Sequence, residues 1–149
     1  MSERRQDDTA MDLAMAVRRL DLMMSQMHLE MSERLGLSAA ELLALAHLSL
    51  SGPLGPTELT HRLHMTSGAM TAMLDRLAER DYVVREPHET DRRRITVRLT
   101  PGGRDRIFAQ VHGMAGSVVA ASRRLDAEQR RTVTAYLEEI AGVISAPVE

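Results

Sequence analysis

Three consecutive arginines, Arg92, Arg93 and Arg94, end a polar stretch that begins at Glu86. Guanidinium groups form forked hydrogen bonds with phosphate oxygens, and they are often inserted into narrow minor grooves, where the negative potential of DNA is enhanced. A run of charge that stands alone is more often a solvated loop. The triplet therefore indicates a nucleic-acid contact only if the elements around it support one.

A second candidate surface precedes the arginines and consists of small or polar side chains. The apolar residues of this segment recur at spacings of three and four, namely Met70, Met73, Leu74 and Leu77. That spacing predicts a helix with one buried side and a small, polar opposite side. Small side chains at a helix N-terminus let the backbone approach a duplex, where amide dipoles favour phosphate and hydroxyls reach base edges. An ordinary surface helix would show the same pattern. The candidate DNA contacts are Thr66, Ser67, Gly68, Ala69, Thr71, Ala72 and Arg76, together with Arg92, Arg93 and Arg94.

The segment before that helix predicts another, shorter one. Pro56 suits a first helical position because its φ is fixed, and two leucines four residues apart share one face. Residues 64–66 are long enough for a tight turn, and Thr66 or Ser67 can accept a hydrogen bond from the amides that open the next helix. The two helices and their turn are typical of a helix-turn-helix.

Two short strands are predicted after the helices. Residues 82–85 and 95–99 are rich in β-branched side chains, and the second run alternates apolar and polar residues. The polar stretch with the arginine triplet lies between them and is long enough to project as a wing. Together these elements predict a mainly α fold with a small β-wing, that is, a winged helix-turn-helix lobe over residues 38–100.

Long amphipathic helices are predicted on both sides of the lobe. Between residues 10 and 35, apolar residues repeat at alternating spacings of four and three, as in a coiled-coil seam. Ser38 with Glu41 and Asp126 with Gln129 have the spacing of a capping box, which marks two further helix starts. A winged helix alone has no use for so much apolar surface, whereas a two-fold dimer buries it. We expect a single domain over residues 1–149, with residues 10–35 and 104–145 as the dimerisation helices of a homodimer.

The chain resembles the MarR-type (multiple antibiotic resistance regulator) transcription regulators, most sharply over residues 37–106. The matching motifs are Ser67-Gly68-Ala69-Met70-Thr71 with Leu74-Asp75-Arg76-Leu77 in the recognition helix, Asp91-Arg92-Arg93 in the wing, and Leu99-Thr100 followed by Gly103. The resemblance implies an obligate dimer with one reading helix and one wing per subunit. A two-fold dimer should bind a pseudo-palindromic operator in double-stranded DNA, and we expect a repressor that is released by a small-molecule effector. It places most weight on Arg93, and it implies that Asp91 positions the wing through an ion pair.

One residue departs from the family pattern. Asp81 stands where the family usually has Gly, between the recognition helix and the first wing strand. Asp tolerates a left-handed helix ending better than most residues, so we expect local strain there rather than a different fold.

Methionines give the first long helix an adaptable apolar lining. Six of the eleven methionines fall between residues 11 and 31, and methionine side chains repack readily around varied small molecules. The candidate contacts of the effector are Met27, Met31 and His47. Plain core packing, or packing in a dimer interface, is the alternative and the commoner use of such a stripe.

Composition limits other functions. The chain has no cysteine, so disulfides, thiolate zinc sites and thiol-based redox sensing are excluded. Nine arginines against six acids give residues 76–106 a charge of +3, whereas the rest of the chain carries −5. All nineteen cationic residues are arginine, which suits forked phosphate contacts or reflects a GC-rich genome. Without a signal-like or membrane-spanning apolar stretch, we expect a cytoplasmic protein with no membrane partner.

Two alternatives to an effector-released regulator remain. A zinc-responsive regulator would need His28, His47 and His112 to converge, and no short-range pair of ligands supports this. A protein-interaction module could keep the fold without DNA affinity, although the intact arginine triplet argues against it. The sequence contains no phosphate-cradling glycine loop, nucleophile elbow or paired acids in an apolar setting, so we expect neither an enzyme nor a cofactor.

Overall fold

The computed structural model of the chain describes residues 2–88, 90–91 and 93–145, with side chains described from residue 8 onward. These residues form six helices and one two-stranded antiparallel sheet. In chain order the elements are α1 (Ser2–Leu35), α2 (Ala39–Ser51), α3 (Pro56–Arg62), α4 (Ser67–Glu79), β1 (Val83–Pro87), β2 (Ile95–Leu99), α5 (Pro101–Ser122) and α6 (Ala127–Ser145). The chain divides into two compact units, Met1–Ile107 and Phe108–Glu149.

α1 is longer than predicted. It begins at Ser2 rather than near residue 10, because the polar residues of its first two turns include no glycine or proline to interrupt a helix. It ends where Gly36 takes a left-handed φ of 60° and the Leu37 amide donates to the Ser32 carbonyl at 3.0 Å. This is a Schellman ending. Although α1 has 34 residues, no helix in the described part of the chain is long and apolar enough to cross a membrane.

α2 begins with the predicted capping box. The Ser38 hydroxyl accepts a hydrogen bond from the Glu41 amide at 3.2 Å, and the Glu41 carboxylate accepts one from the Ser38 amide at 2.8 Å. Two amides that the helix itself leaves without partners are thereby satisfied. α2 contributes four apolar side chains to the core, Leu42, Ala44, Leu45 and Leu48.

α3 and α4 form the predicted helix-turn-helix. α3 starts at Pro56 and α4 at Ser67, as expected. Between them His64 takes a left-handed φ of 51°, and the Met65 amide donates to the Thr60 carbonyl at 3.1 Å. The turn is therefore a second Schellman ending, made without glycine. The predicted buried side of α4 is confirmed, since the core includes Met70, Met73, Leu74 and Leu77.

The two strands form the predicted hairpin. Val83 lies opposite Leu99, and Pro87 lies opposite Ile95. β1 starts one residue later and ends two residues later than predicted, because a proline at the end of a strand need not donate to the ladder. The wing loop is correspondingly shorter. Leu54 adds an isolated bridge to buried Val97, with N···O distances of 3.0 and 2.8 Å, which ties the segment before α3 to the sheet.

A close approach of two backbones joins β1 to the start of α5. A Cβ atom at Gly103 would lie 2.2 Å from the Tyr82 carbonyl oxygen, so only glycine fits there. Thr100 opens α5, because its hydroxyl accepts from the Gly103 amide at 2.8 Å. The Thr100 amide donates to the same Tyr82 carbonyl at 3.0 Å. The end of the sheet and the first turn of α5 therefore form one tightly packed joint.

Asp81 has the left-handed conformation that was predicted. Its φ is 55°, and the amide of Tyr82 donates to the Leu77 carbonyl at 2.9 Å, which completes a Schellman ending for α4. The Arg106 guanidinium donates to the Asp81 carbonyl and lies 4.2 Å from the centre of the Tyr82 ring. The departure from glycine is therefore accommodated within the same turn.

The second unit contains most of α5 and all of α6. Asp126 and Gln129 form the predicted capping box, with side-chain to amide distances of 2.9 and 2.8 Å. α6 buries none of its side chains. Large exposed apolar side chains lie on α1, at Met11, Leu13, Met15, Leu20, Leu22, Met23, Met24 and Leu29, and on α6, at Val133, Leu137, Val143 and Ile144. Each of these two helices thus carries an exposed apolar stripe along its described residues.

Candidate nucleic-acid interface

The first turns of α4 present the small polar surface that was predicted. Thr66 is the N-cap residue, and its hydroxyl accepts from the Ala69 amide at 3.3 Å. The amides of a first helical turn have no carbonyl partners within the helix, so those of Ser67 and Gly68 extend the positive end of the helix dipole outward. Solvent reaches every predicted residue of this surface, namely Thr66, Ser67, Gly68, Ala69, Thr71, Ala72 and Arg76. The arrangement suits a closely approaching phosphate or base edge.

Arg85 on β1 binds α4 and holds this surface in position. Its guanidinium pairs with Asp75 and donates to the Thr71 carbonyl at 3.1 Å. The Thr71 hydroxyl donates to the Ser67 carbonyl at 2.9 Å, which leaves its lone pairs and methyl group available to a ligand. Sequence reasoning missed Arg85 because an alternating strand pattern shows which face a side chain occupies and not which helix it meets.

Two backbone hydrogen bonds close the wing loop. The amide of His88 donates to the Arg94 carbonyl at 2.8 Å, and the amide of Arg94 donates to the Asp91 carbonyl at 2.9 Å. The Asp91 carboxylate accepts from the Arg93 amide at 3.1 Å. In the described part of the wing Asp91 thus positions the backbone, because its short acidic side chain reaches an amide two residues on. The ion pair that the resemblance implies stays a prediction. Arg93 and Arg94 are exposed, as predicted, and Arg92 lies outside the described residues.

The base of the wing is neutralised by a pair of opposite charges. Arg98 donates to both carboxylate oxygens of Glu86 across the hairpin. The hydrogen bonds from Arg98 hold the pKa of the Glu86 carboxyl below its ordinary value, and the same contact raises the pKa of Arg98. The acid at the base of the wing is therefore paired with an arginine of the opposite strand.

The guanidinium of Arg76, another candidate contact, binds within the protein. Its Nε donates to a carboxylate oxygen of Glu41 at 3.1 Å, and that carboxylate is only 7% exposed. Burial raises the pKa of Glu41, but hydrogen bonds from Ser38 and Arg76 outweigh burial and leave it below its ordinary value of 4.5. Glu41 is therefore ionised at neutral pH. Sequence reasoning placed Glu41 in a cap and missed Arg76 as its partner, because the two residues are 35 positions apart.

The three candidate effector contacts have different environments. Met31 is 4% exposed and belongs to the core, whereas Met27 is half-buried. His47 is also half-buried, and an Arg62 nitrogen lies 3.5 Å from its Nδ1. Burial and then the positive charge of Arg62 hold the pKa of His47 below its ordinary value of 6.5. In the described part of the chain, no three His, Cys, Asp or Glu side chains are grouped as metal ligands.

Known proteins are similar to this chain in sequence. The family model described as MarR family matches residues 37–95. Multiple antibiotic resistance protein MarR of Escherichia coli (strain K12) is 32% identical over 108 residues, which are 71% of this chain and 74% of that protein. HTH-type transcriptional repressor MdtR of Bacillus subtilis (strain 168) is 31% identical over 119 residues, which are 80% of this chain and 75% of that protein.

Solved structures share the fold. The crystal structure of the reduced form of E. coli MarR has a TM-score of 0.53 at 30% identity and covers 82% of this chain and 93% of its own. A mutant of S. aureus MepR bound to an oligodeoxyribonucleotide has a TM-score of 0.58 at 18% identity and covers 88% of this chain and 96% of its own. These likenesses confirm the predicted winged helix-turn-helix fold. The chain belongs to the MarR family of transcription regulators.

Proposed function

We propose that the chain is a cytoplasmic protein that represses transcription as a homodimer. The homodimer binds a pseudo-palindromic operator in double-stranded DNA. α4 of each subunit enters the major groove, and the exposed residues of its first turns, with Thr71 and Ala72, face the base edges. The wing carries Arg93 to the backbone or the minor groove, with Arg92 and Arg94 beside it. A small-molecule effector releases the dimer from the operator. A mutant of S. aureus MepR, which shares the fold, was solved bound to an oligodeoxyribonucleotide, and this supports DNA binding by the same fold here.

The observation that carries the proposal is the connection between the two DNA-facing elements. Arg85 lies on the wing strand, yet its guanidinium bonds to Asp75 and the Thr71 carbonyl on α4. The recognition helix and the wing are therefore positioned as one body, whose two ends can meet a major groove and the adjacent backbone together. An ordinary surface helix beside a solvated loop would not require these hydrogen bonds from Arg85.

The uncovered apolar stripes support the homodimer. α1 and α6 expose Met11, Leu22, Val143 and Ile144, each at 60% or more of its full area. Surface of this kind is rare on a monomer and is buried at an obligate interface. A two-fold dimer then places two copies of α4 against half-sites about 10 to 10.5 base pairs apart, or a multiple of that.

The effector proposal concerns the region where α1 packs against α2. Met27 and His47 keep accessible atoms and remain candidate contacts, and His47 offers a neutral ring at pH 7. Met31 is buried in the core, so a ligand can contact it only if α1 and α2 move apart. Coupling between effector and DNA is typically about 1 to 3 kcal/mol, or roughly 5- to 150-fold in DNA affinity, and it is reciprocal.

Binding isotherms of the purified protein test the proposal. Fluorescence anisotropy is recorded with the intergenic DNA next to its own coding sequence and with random DNA of the same length, at one fixed salt concentration. Specific binding exceeds random binding by roughly 10³-fold or more in such regulators. Equal affinities for both DNAs would instead identify a module that keeps the fold without operator recognition.

A further inference from the structure

Arg80, at the end of α4, binds the end of α1. Its two terminal nitrogens donate to the Leu35 and Gly36 carbonyls at 2.7 and 2.8 Å. The last carbonyls of a helix lack partners within it and carry the negative end of its dipole, so a guanidinium satisfies both needs. The recognition helix therefore supplies the C-terminal cap of α1 across 44 and 45 residues of sequence.

Arg76 lies one turn earlier on the same side of α4 and reaches the start of α2. Its partner Glu41 is a buried residue, and the second carboxylate oxygen of Glu41 accepts from the Ser38 amide. One carboxylate thus closes the cap of α2 and holds α4. The guanidinium is planar and its donors are fixed relative to one another, so this bond restricts the rotation of Arg76 as well as its position.

Both arginines bind the same short segment, residues 35–41, which we call the elbow. The elbow connects α1 to α2, and it contains the left-handed Gly36. Three hydrogen bonds fasten it to α4. Removing Arg76 would leave the buried Glu41 carboxylate without a cation, and removing Glu41 would leave the Arg76 guanidinium without its carboxylate partner. A displacement at the end of α1 must therefore move α4 or break these bonds.

We propose that Arg76 and Arg80 are positioning residues that lock the elbow to the recognition helix, so that movement of α1 is passed directly to the DNA-reading surface. In this role Arg76 acts through Glu41 and does not neutralise a phosphate. The inference rests on the proposed binding of DNA by α4 and deepens it, because it assigns the route by which an effector-driven shift of α1 changes operator affinity.

A double-mutant cycle on operator DNA tests the proposal. The proteins are wild type, Arg76→Ala, Glu41→Gln and the double variant, each measured across a salt series on operator and random DNA. If Arg76 acts through Glu41, each single change lowers operator affinity by about three- to tenfold, and the double variant loses little more than either single one. The slope of log affinity against log salt stays at the wild-type value, as does affinity for random DNA.

A phosphate contact gives a different result. Arg76→Ala would then reduce the salt slope by about 0.9 per contact, or about 1.8 for a dimer, and its effect would persist in the Glu41→Gln background. That outcome overturns the inference. A wild-type protein that binds operator and random DNA equally would instead refute the proposed function, so the two failures are distinguishable.

One control variant and the Glu41→Gln variant separate positioning from plain stabilisation. Arg34→Ala breaks an exposed Arg34–Glu30 pair on α1 and should leave operator affinity unchanged. Glu41→Gln keeps the shape of the side chain at a position that is buried within the protein, so this variant provides the test if Arg76→Ala fails to fold. A Glu41→Gln protein that melts earlier yet binds operator as tightly as wild type would also overturn the inference, because a merely stabilising pair behaves in that way.

Discussion

Replacing Gly103 by Ala should destabilise the whole lobe. The new Cβ would lie 2.2 Å from the Tyr82 carbonyl oxygen and 2.8 Å from its carbonyl carbon, well inside the separation of about 3.5 Å at which such atoms attract. The obstacle is backbone, so it cannot move aside by changing a rotamer. Relief requires the start of β1 and the start of α5 to separate, which also breaks the hydrogen bond from the Thr100 amide to the Tyr82 carbonyl.

The expected cost is about 2 to 3 kcal/mol, at the upper end of the range for overpacking. In a chain of this size that lowers the melting temperature by roughly 5 to 10 °C, measured by circular dichroism. Gly102→Ala is the matched control, because its Cβ would lie 3.1 Å from the Asp81 carboxylate, the far end of a flexible and exposed side chain. If the two variants melt at the same temperature, the packing at this joint is not as described.

Three further changes have definite expected outcomes. Because the pKa of Glu41 is lower in the folded than in the unfolded protein, its contribution to stability is fully present above pH 4.5 and is lost as the pH falls through the lower folded pKa. The difference in melting temperature between wild type and Glu41→Gln should therefore shrink below pH 4.5, and a constant difference would contradict the assigned pair. Asp81→Gly should raise the melting temperature by about 2 to 4 °C, because glycine adopts the observed φ of 55° without strain; a lowered value would show that the Asp81 side chain stabilises the turn. The melting temperature of wild type should rise with protein concentration, since the proposed dimer has no stable folded monomer. Light scattering that finds a folded monomer at micromolar concentration would refute that account.

The helix-turn-helix and the hairpin were predictable because their signals are local. Periodicity placed the buried side of α4, and cap residues such as Thr66 and Ser38 fixed helix starts to within a residue. Asp81 could be assigned a left-handed conformation because only a few residue types tolerate one. Each of these inferences uses interactions between residues a few positions apart, which a single sequence displays.

The contacts that connect the elements were not predictable in the same way. Arg76 was assigned to DNA because it lies on the exposed side of α4, and the structure gives it a buried partner 35 residues away. Arg85 and the bridge from Leu54 to Val97 were missed for the same reason. Hydrophobic patterns show which face is buried, but the choice of ionic partner depends on the tertiary packing that the pattern alone does not define.

The central claim is that α4 reads bases while the wing contacts the sugar-phosphate backbone, and the salt dependence of DNA binding tests it most directly. Isotherms are recorded for wild type, Arg93→Ala and Thr71→Ala on operator and random DNA. Arg93→Ala should weaken binding to both DNAs and reduce the salt slope by about 0.9 for each phosphate that is no longer neutralised, hence about 1.8 for the dimer. Thr71→Ala should leave the slope unchanged, cost up to about 1 to 3 kcal/mol on the operator and relax preference at one base pair. If Arg93→Ala changes neither affinity nor slope while the dimer stays folded, the wing does not contact DNA and the account is wrong.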